Sequence, residues 1–329
     1  MTLIDGNAII HRAYHAMPPM RSLDGRLVSV VYGFISMLLK IHRDLSPSHM
    51  VVAFDRPGPT FREEMYPQYQ QQRPKLDDDF ISQIPLVHDV VKAFGIPIYE
   101  CDGFEADDVI GTIAEQVKSK QLTENRKKEI DQVIIITGDR DILQLVEDEK
   151  VFVFMPTKGL SEGKIYSEKD VVLRLGVSPK LIPSFKALAG DPSDNYPGVP
   201  GIGPKTAVSI LSTFGSIDTL YRAVEAGKTA LSKGVIEKLK SGKESAYLGL
   251  NLATIRKDAP ITFSSKTACI SSLDSLSARN ELEKYGFQSL LRRLTGDATV
   301  VLSQRTKVTN TLKKEEKCEE QQSSQQELF

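Results

Sequence analysis

Three short apolar runs along the chain share one ending. Thr2-Leu3-Ile4 runs into Asp5, Val51-Val52-Ala53-Phe54 into Asp55, and Val133-Ile134-Ile135-Ile136 through Thr137-Gly138 into Asp139. Continuous apolar runs of this length predict strands buried on both faces, as in a parallel sheet. Between them the apolar positions take helical spacing: Val31, Phe34, Ile35, Leu38, Leu39 and Ile41, then Ile84, Val87, Val90, Val91 and Phe94, then Val109, Ile110, Ile113, Ala114 and Val117. This alternation predicts an α/β fold with a mostly parallel central sheet flanked by helices. Ligands of such sheets bind beyond the carboxyl ends of the strands, where Asp5, Asp55 and Asp139 fall.

Elsewhere the pattern changes. Arg56 to Leu76 carries Pro57, Pro59, Pro67, Pro74 and three consecutive Gln; it is too long for an ordinary connection and predicts a functional or poorly ordered loop. From about Val171 the strand signal fades into short helical segments punctuated by Gly. The expected organisation is an α/β domain over 1–170 and a helical subdomain over 171–297. Residues 303–329 are polar and aperiodic, which predicts a disordered tail.

Composition sets limits. The 329 residues are 40% apolar and 26% charged, as in a globular protein. No run approaches the ~18 apolar residues of a membrane span. The start, Met1-Thr2-Leu3-Ile4-Asp5, has no secretory signal. Cys101, Cys269 and Cys318 are scattered and odd in number, which argues against a disulfide framework or zinc site and fits a reducing cytoplasm. With 42 Lys+Arg against 43 Asp+Glu the net charge is −1. A total is blind to arrangement, so a nucleic-acid partner stays open.

The acids are clustered. Gly103-Phe104-Glu105-Ala106-Asp107-Asp108 opens a helix, Thr137-Gly138-Asp139-Arg140-Asp141 follows a strand, and Gly190-Asp191-Pro192-Ser193-Asp194-Asn195 opens the helical part. Capping accounts for one carboxylate per helix start, and a Pro/Ser/Asn turn accounts for Asp191 or Asp194 alone. Neither accounts for Glu105, Asp107 and Asp108 within four residues, or for Asp at the end of three buried strands. If the motifs converge, up to nine carboxylates share one pocket and cannot all ionise without compensation. Divalent cations with oxygen ligands are the natural compensation. Two of them roughly 3.5–4 Å apart would suit in-line attack on a phosphodiester.

Gly198-Val199-Pro200-Gly201-Ile202-Gly203-Pro204-Lys205-Thr206-Ala207 follows directly and runs into an apolar helix. Its glycines permit a tight turn and close backbone approach. The free N–H groups of the next helix, with Lys205, make an anion site. Phosphate contacts of this kind hold a DNA backbone without reading sequence.

Together these motifs closely resemble the 5′→3′ exonuclease domain of bacterial DNA polymerase I, of the flap endonuclease family. The likeness runs from Thr2 to about Gly296 and includes Asp5-Gly6-Asn7, Tyr14-His15-Ala16, Val52-Ala53-Phe54-Asp55, Thr60-Phe61-Arg62, the three acidic motifs and the glycine string. No polymerase domain follows, so a stand-alone or excised version is expected. The resemblance implies a PIN-like 5′ nuclease fold that acts on 5′ flaps, nicks or recessed 5′ ends and removes RNA primers in replication and repair. It also implies products with 5′-phosphate and 3′-hydroxyl ends. By resemblance, Asp5, Asp55, Glu105, Asp107 and Asp108 surround a first metal. Asp139, Asp141, Asp191 and Asp194 serve a second, some through water. Mg²⁺ is the expected ion, with Mn²⁺ as a substitute. The region near 57–85 would form a helical arch for a 5′ single strand. The glycine string, with Gly198, Gly201, Gly203, Lys205 and Thr206, would form a helix–three-turn–helix element that grips duplex DNA, often with K⁺. Arg12, Arg62 and Tyr69 are expected near phosphates, with Arg12 and Arg62 equally readable as salt-bridge partners. The five His are read as core or surface residues.

One position departs from the family. Its arch usually reads Tyr-Lys-x-x-Arg; here Tyr69-Gln70-Gln71-Gln72-Arg73 keeps Arg73 but places Gln70 where the Lys stands. The expectation is an active but slower nuclease. The runner-up is a DNA-junction binder with weakened chemistry, and a PIN-like ribonuclease is a third reading that the glycine string disfavours. The C-terminal Gln325-Gln326-Glu327-Leu328-Phe329 is similar to the sliding-clamp-binding pattern Gln-x-x-Leu-Phe, and a chance ending reads equally well. A separate polymerase is a further candidate partner. The expected molecule is a monomer in the bacterial cytoplasm, associated with the nucleoid.

Overall fold

The computed structural model describes residues 1–122, 130–158 and 162–296. The tail, including Gln325, Leu328 and Phe329, lies outside the described residues. Six strands form one sheet: β1 (Thr2–Asp5), β2 (Met50–Ala53), β3 (Ile98–Tyr99), β4 (Val133–Ile136), β5 (Val151–Lys158) and β6 (Glu162–Tyr166). Their order is β3-β2-β1-β4-β5-β6, and every pairing is parallel except β5–β6. The fold is the expected α/β class. The order reverses between β1 and β4, the kind of switch point at which α/β sheets open a crevice. Register brings the strand ends level there: Asp5 pairs with Ala53, and Ile4 with both Val52 and Ile136.

Side-chain alternation divides the core into two layers. Leu3, Val51, Val133, Ile135 and Val153 face the Ala106–Leu122 helix and helices from the second half of the chain. Ile4, Val52, Phe54 and Ile136 face the Gly6–Ala16, Ser29–Leu45 and Ile84–Ala93 helices. The first of these crosses so close to β2 that a Cβ on Gly6 would stand 2.1 Å from the Phe54 ring, so only glycine fits there. The three helices predicted from apolar spacing are all present. Among the described residues, no helix is long and apolar enough to cross a membrane.

Three features differ from the sequence reading. The β5–β6 hairpin was not expected: β6 reads Glu-Gly-Lys-Ile-Tyr, an exposed polar edge with little strand signal. The helices expected as one subdomain over 171–297 pack on both faces of the sheet. Those between Glu168 and Ala253 join the first layer, whereas Leu276–Lys284 and Gln288–Thr295 bring Ala278, Leu282, Phe287 and Leu290 into the second. The crossing runs past the start of β2, where Ile270 N–H donates to the Ser48 carbonyl (2.9 Å). The region near 57–85 holds two short helices, Phe61–Met65 and Asp78–Ile81, joined by turns. Pro67 and Pro74 stand between them, and each denies a helix an N–H donor.

Candidate metal centre and nucleic-acid interface

The pocket begins at the switch point. Asp5 ends β1 and caps the helix that follows: one carboxylate oxygen accepts from Ala8 N–H (2.9 Å) and the other from the Thr137 hydroxyl (2.6 Å). The Thr137 oxygen in turn accepts from Asp139 N–H (2.9 Å), and Asp139 accepts from Asp141 N–H (2.8 Å). This chain of hydrogen bonds ties the ends of β1 and β4 together. Thr137 is fully buried and was missed as a site residue; its position just after an apolar strand was the available signal. Asp55 spends one oxygen on Ala106 N–H (2.6 Å), at the start of the helix that carries Asp107 and Asp108. Capping is therefore real for Asp5 and Asp55.

Burial in this pocket favours protonated carboxylates. Asp5 is pushed up to about 7 by burial, with the charges of Asp55 and Asp139 adding to it and its hydrogen bonds opposing. Glu105 is also raised to about 7, chiefly by burial and against the pull of Arg62. Asp107 is raised well above the usual range by burial and by Asp139, Asp5 and Glu105. Burial raises Asp55 as well. Compensating cations would reverse this balance.

Next to this group, Asp141, Asp191 and Asp194 bring one ligand oxygen each within 4.8 Å of one another. Two side-chain cations sit on this trio. Lys186, on the Ile182–Ala189 helix, bridges Asp141 and Asp191. Arg73 meets Asp194 at 2.8 Å. Burial raises Asp141 to about 7 even against Lys186. Asp191 is held below its ordinary value: Lys186 and the Ser193 N–H (2.8 Å) outweigh its burial. Lys186 was also missed by sequence reasoning, because a lone Lys in an apolar helix carries no motif. All the donors of both groups are hard carboxylate oxygens, a set that fits Mg²⁺ or Mn²⁺ and not a soft ion.

Four expected site residues have other employment. Asp108 is fully buried and saturated: its two oxygens accept from Arg62 (2.7 and 2.9 Å), Glu105 N–H (3.1 Å) and Arg256 N–H (2.7 Å). It is a structural anion here and not an open metal ligand. Arg62, 2% exposed, also donates to the carbonyls of Leu252 and Thr254 and meets Glu105 at 3.2 Å, so it faces no phosphate. Tyr69 is buried in a small core with Tyr196, Leu252 and Ala253, its hydroxyl 3.4 Å from Glu105. Gly198 is required by packing, since a Cβ there would stand 2.4 Å from the Leu188 carbonyl oxygen. Arg12 is half-buried on the Gly6–Ala16 helix.

The 66–73 stretch lies down on the acidic loop. Gln70 N–H donates to the Asp194 carbonyl (3.0 Å), and the Asn195 side chain donates to the Gln68 carbonyl (2.7 Å). Gln70 takes a left-handed conformation (φ 55°) in this turn. Further along, Gly201 turns the chain at φ 78°, its carbonyl accepting from Lys238 Nζ (3.1 Å). Gly203 caps the Pro204–Phe214 helix with open space beside it, and Lys205 is exposed at the helix start. A helix N-terminus with a nearby ammonium is an anion-binding arrangement.

A mostly parallel sheet with acids gathered at its switch point, and an anion-ready helix start in the same chain, define a class: α/β proteins with the donor chemistry for cations and for a phosphate-bearing ligand. Two family profiles match in tandem: "5′-3′ exonuclease, N-terminal resolvase-like domain" over residues 1–176 and "5′-3′ exonuclease, C-terminal SAM fold" over 177–275. The chain belongs to the 5′-3′ exonuclease family. A 5′-3′ exonuclease of Aquifex aeolicus is 34% identical over 292 residues, covering 89% of this chain and 94% of that protein. DNA polymerase I of Bacillus caldotenax is 36% identical over 294 residues, 89% of this chain but 32% of that protein. The chain thus spans about a third of such polymerase relatives. In fold it is similar to the bacteriophage T5 5′-exonuclease with bound divalent metal ions (zinc), at TM-score 0.63 and 21% identity, over 90% of this chain and 97% of that one. It is likewise similar to the T5 flap endonuclease complexed with DNA and metal ions, at TM-score 0.62 and 21% identity, over 90% and 96% of the two chains.

Proposed function

We propose that this chain is a divalent-metal-dependent 5′→3′ exonuclease and 5′-flap endonuclease, hydrolysing DNA and RNA-primer phosphodiesters at flaps, nicks and recessed 5′ ends. The observation that carries this reading is the convergence of Asp5, Asp55, Glu105, Asp107 and Asp139 at the strand ends, beside the Asp141–Asp191–Asp194 trio. In this reading the first group holds one Mg²⁺ and the trio a second, with Mn²⁺ able to replace either. Bound there, the ions supply an activated water and charge stabilisation for the leaving oxygen. The protein's part is positional. Thr137 and the Asp5 cap fix the carboxylates. Gly201, Gly203, Lys205 and Thr206 hold duplex phosphates, where K⁺ would also fit. Arg73 exchanges Asp194 for the scissile strand.

A junction binder remains the second reading because Gln70 replaces the expected Lys. A gel assay with labelled flap DNA decides between the two. Cleavage in Mg²⁺ with binding alone in Ca²⁺ is expected; binding without cleavage in both ions would establish the binder instead. The proposed setting is the bacterial cytoplasm and nucleoid, as a monomer working beside a separate polymerase. We further propose that Gln325, Leu328 and Phe329 engage a sliding clamp, seating an apolar pair on a tether. Deleting Leu328 and Phe329 should abolish clamp capture in a pull-down; undiminished capture would remove this partner.

A further inference from the structure

Tyr196 stands in the loop that carries Asp191 and Asp194. Its backbone pairs with that of Asp191 through two hydrogen bonds, Asp191 N–H to the Tyr196 carbonyl (3.0 Å) and Tyr196 N–H to the Asp191 carbonyl (3.1 Å). Residues facing each other across such a bridge project their side chains to the same side, so the Tyr196 ring leaves the backbone on the side of the Asp191 carboxylate. The ring is 3% exposed, packed with Tyr69, Leu252 and Ala253 and against Gly249. Its hydroxyl is buried and has no hydrogen-bond partner among the described residues. Asp141, Asp191 and Asp194 are the carboxylates whose charges act on it. A buried polar group is almost always paired. This one leaves the backbone on the side of Asp191, one of three carboxylates whose oxygens lie within 4.8 Å of one another, while Lys186 and Arg73 already occupy them.

We propose that the Tyr196 hydroxyl is a positioning group of this trio, pairing with a water in the inner shell of the divalent cation held there. The inference rests on the metal reading above and adds a residue to it. Mg²⁺ keeps several of its waters when carboxylates bind it. Those waters are strong donors, and a phenol oxygen fixed in a packed wall is a suitable acceptor. Partners of this second layer are worth about ten-fold or more in metal affinity. The apolar packing fixes the ring and the hydroxyl supplies the direction, so the two contributions separate in one substitution.

The experiment is Tyr196→Phe in the full chain, with Mn²⁺ as the probe. Mn²⁺ binding is followed by electron paramagnetic resonance, and thermal melts are run in EDTA and in MnCl₂. The variant keeps the ring, so its melting temperature in EDTA should equal or exceed that of the parent, because an unpaired hydroxyl contributes nothing to the metal-free fold. Its affinity for the weaker Mn²⁺ should fall about ten-fold, and the rise in melting temperature on adding Mn²⁺ should shrink. Unchanged Mn²⁺ affinity would overturn the assignment and leave the metal reading intact. A lower melting temperature in EDTA would also overturn it, by showing that the hydroxyl has a partner in the protein. A parent chain that binds no Mn²⁺ would defeat the metal reading itself.

Discussion

At the scale of single residues, charge tells less than burial does. Arg62 reads in the sequence as either a phosphate contact or a salt-bridge partner, and Asp107-Asp108 as a pair of metal ligands. The fold makes Arg62 and Asp108 partners in a sealed ion pair with every acceptor used. Sequence cannot separate these outcomes, because adjacent acids on a helix point about 100° apart and only the fold decides which one faces the pocket. Asp107 faces it; Asp108 faces Arg62. Arg62→Leu would leave Asp108 buried without its partner, at a cost of about 3–5 kcal/mol. Chemical denaturation should show a loss of that size. Wild-type stability with a selective loss of DNA binding would return Arg62 to the phosphate role. The acids that end the strands were legible because their signal is local: an apolar run and the residue that stops it.

At the scale of elements, the 66–73 turn was the least legible part. Its contacts are long-range, to Asp194, Asn195 and the Leu252–Ala253 wall, and Pro67 within it and Pro74 just after it obscure any periodicity. The turn places Gln70 beside the trio by its backbone, in a left-handed conformation. In the proposed enzyme, Gln70→Lys restores a charge within reach of the scissile phosphate. A charge-assisted hydrogen bond exceeds a neutral one by roughly 1 kcal/mol or more, so single-turnover cleavage of a 5′-flap should rise about five-fold or more. An equal or slower rate would show that this position does not limit catalysis. The β5–β6 hairpin escaped prediction for a different reason. Its partner strand is an exposed edge, where the apolar signal that marked β1, β2 and β4 is physically unnecessary.

At the scale of the whole molecule, the acidic pocket ties stability to pH and metal. Asp5, Glu105 and Asp141 titrate near 7 in the folded chain, against about 4 when unfolded. Raised carboxylates favour the folded state while protonated. Their contribution is complete below about pH 4 and is lost as pH rises through about 7. The melting temperature in EDTA should therefore decline between pH 5 and pH 8. Added Mg²⁺ should oppose that decline increasingly as pH rises, since binding displaces protons. A flat metal-free profile with a pH-independent Mg²⁺ effect would contradict the pocket's electrostatics. The balanced net charge takes on meaning at this scale too: a cluster of acids gathers at the sheet's switch point, and in the proposed function Lys205 is among the cations that meet phosphate.

The packing of the last two helices has a consequence for how the molecule is made. Leu276–Lys284 packs on the Ile84–Ala93 helix and Gln288–Thr295 on the Ser29–Leu45 helix, so residues far apart in the described chain close one face of the sheet. A ribosome releases the N-terminal strands and their carboxylates long before the helices that cover them. The nascent α/β half therefore waits, with an apolar face open, until almost the whole described chain has emerged.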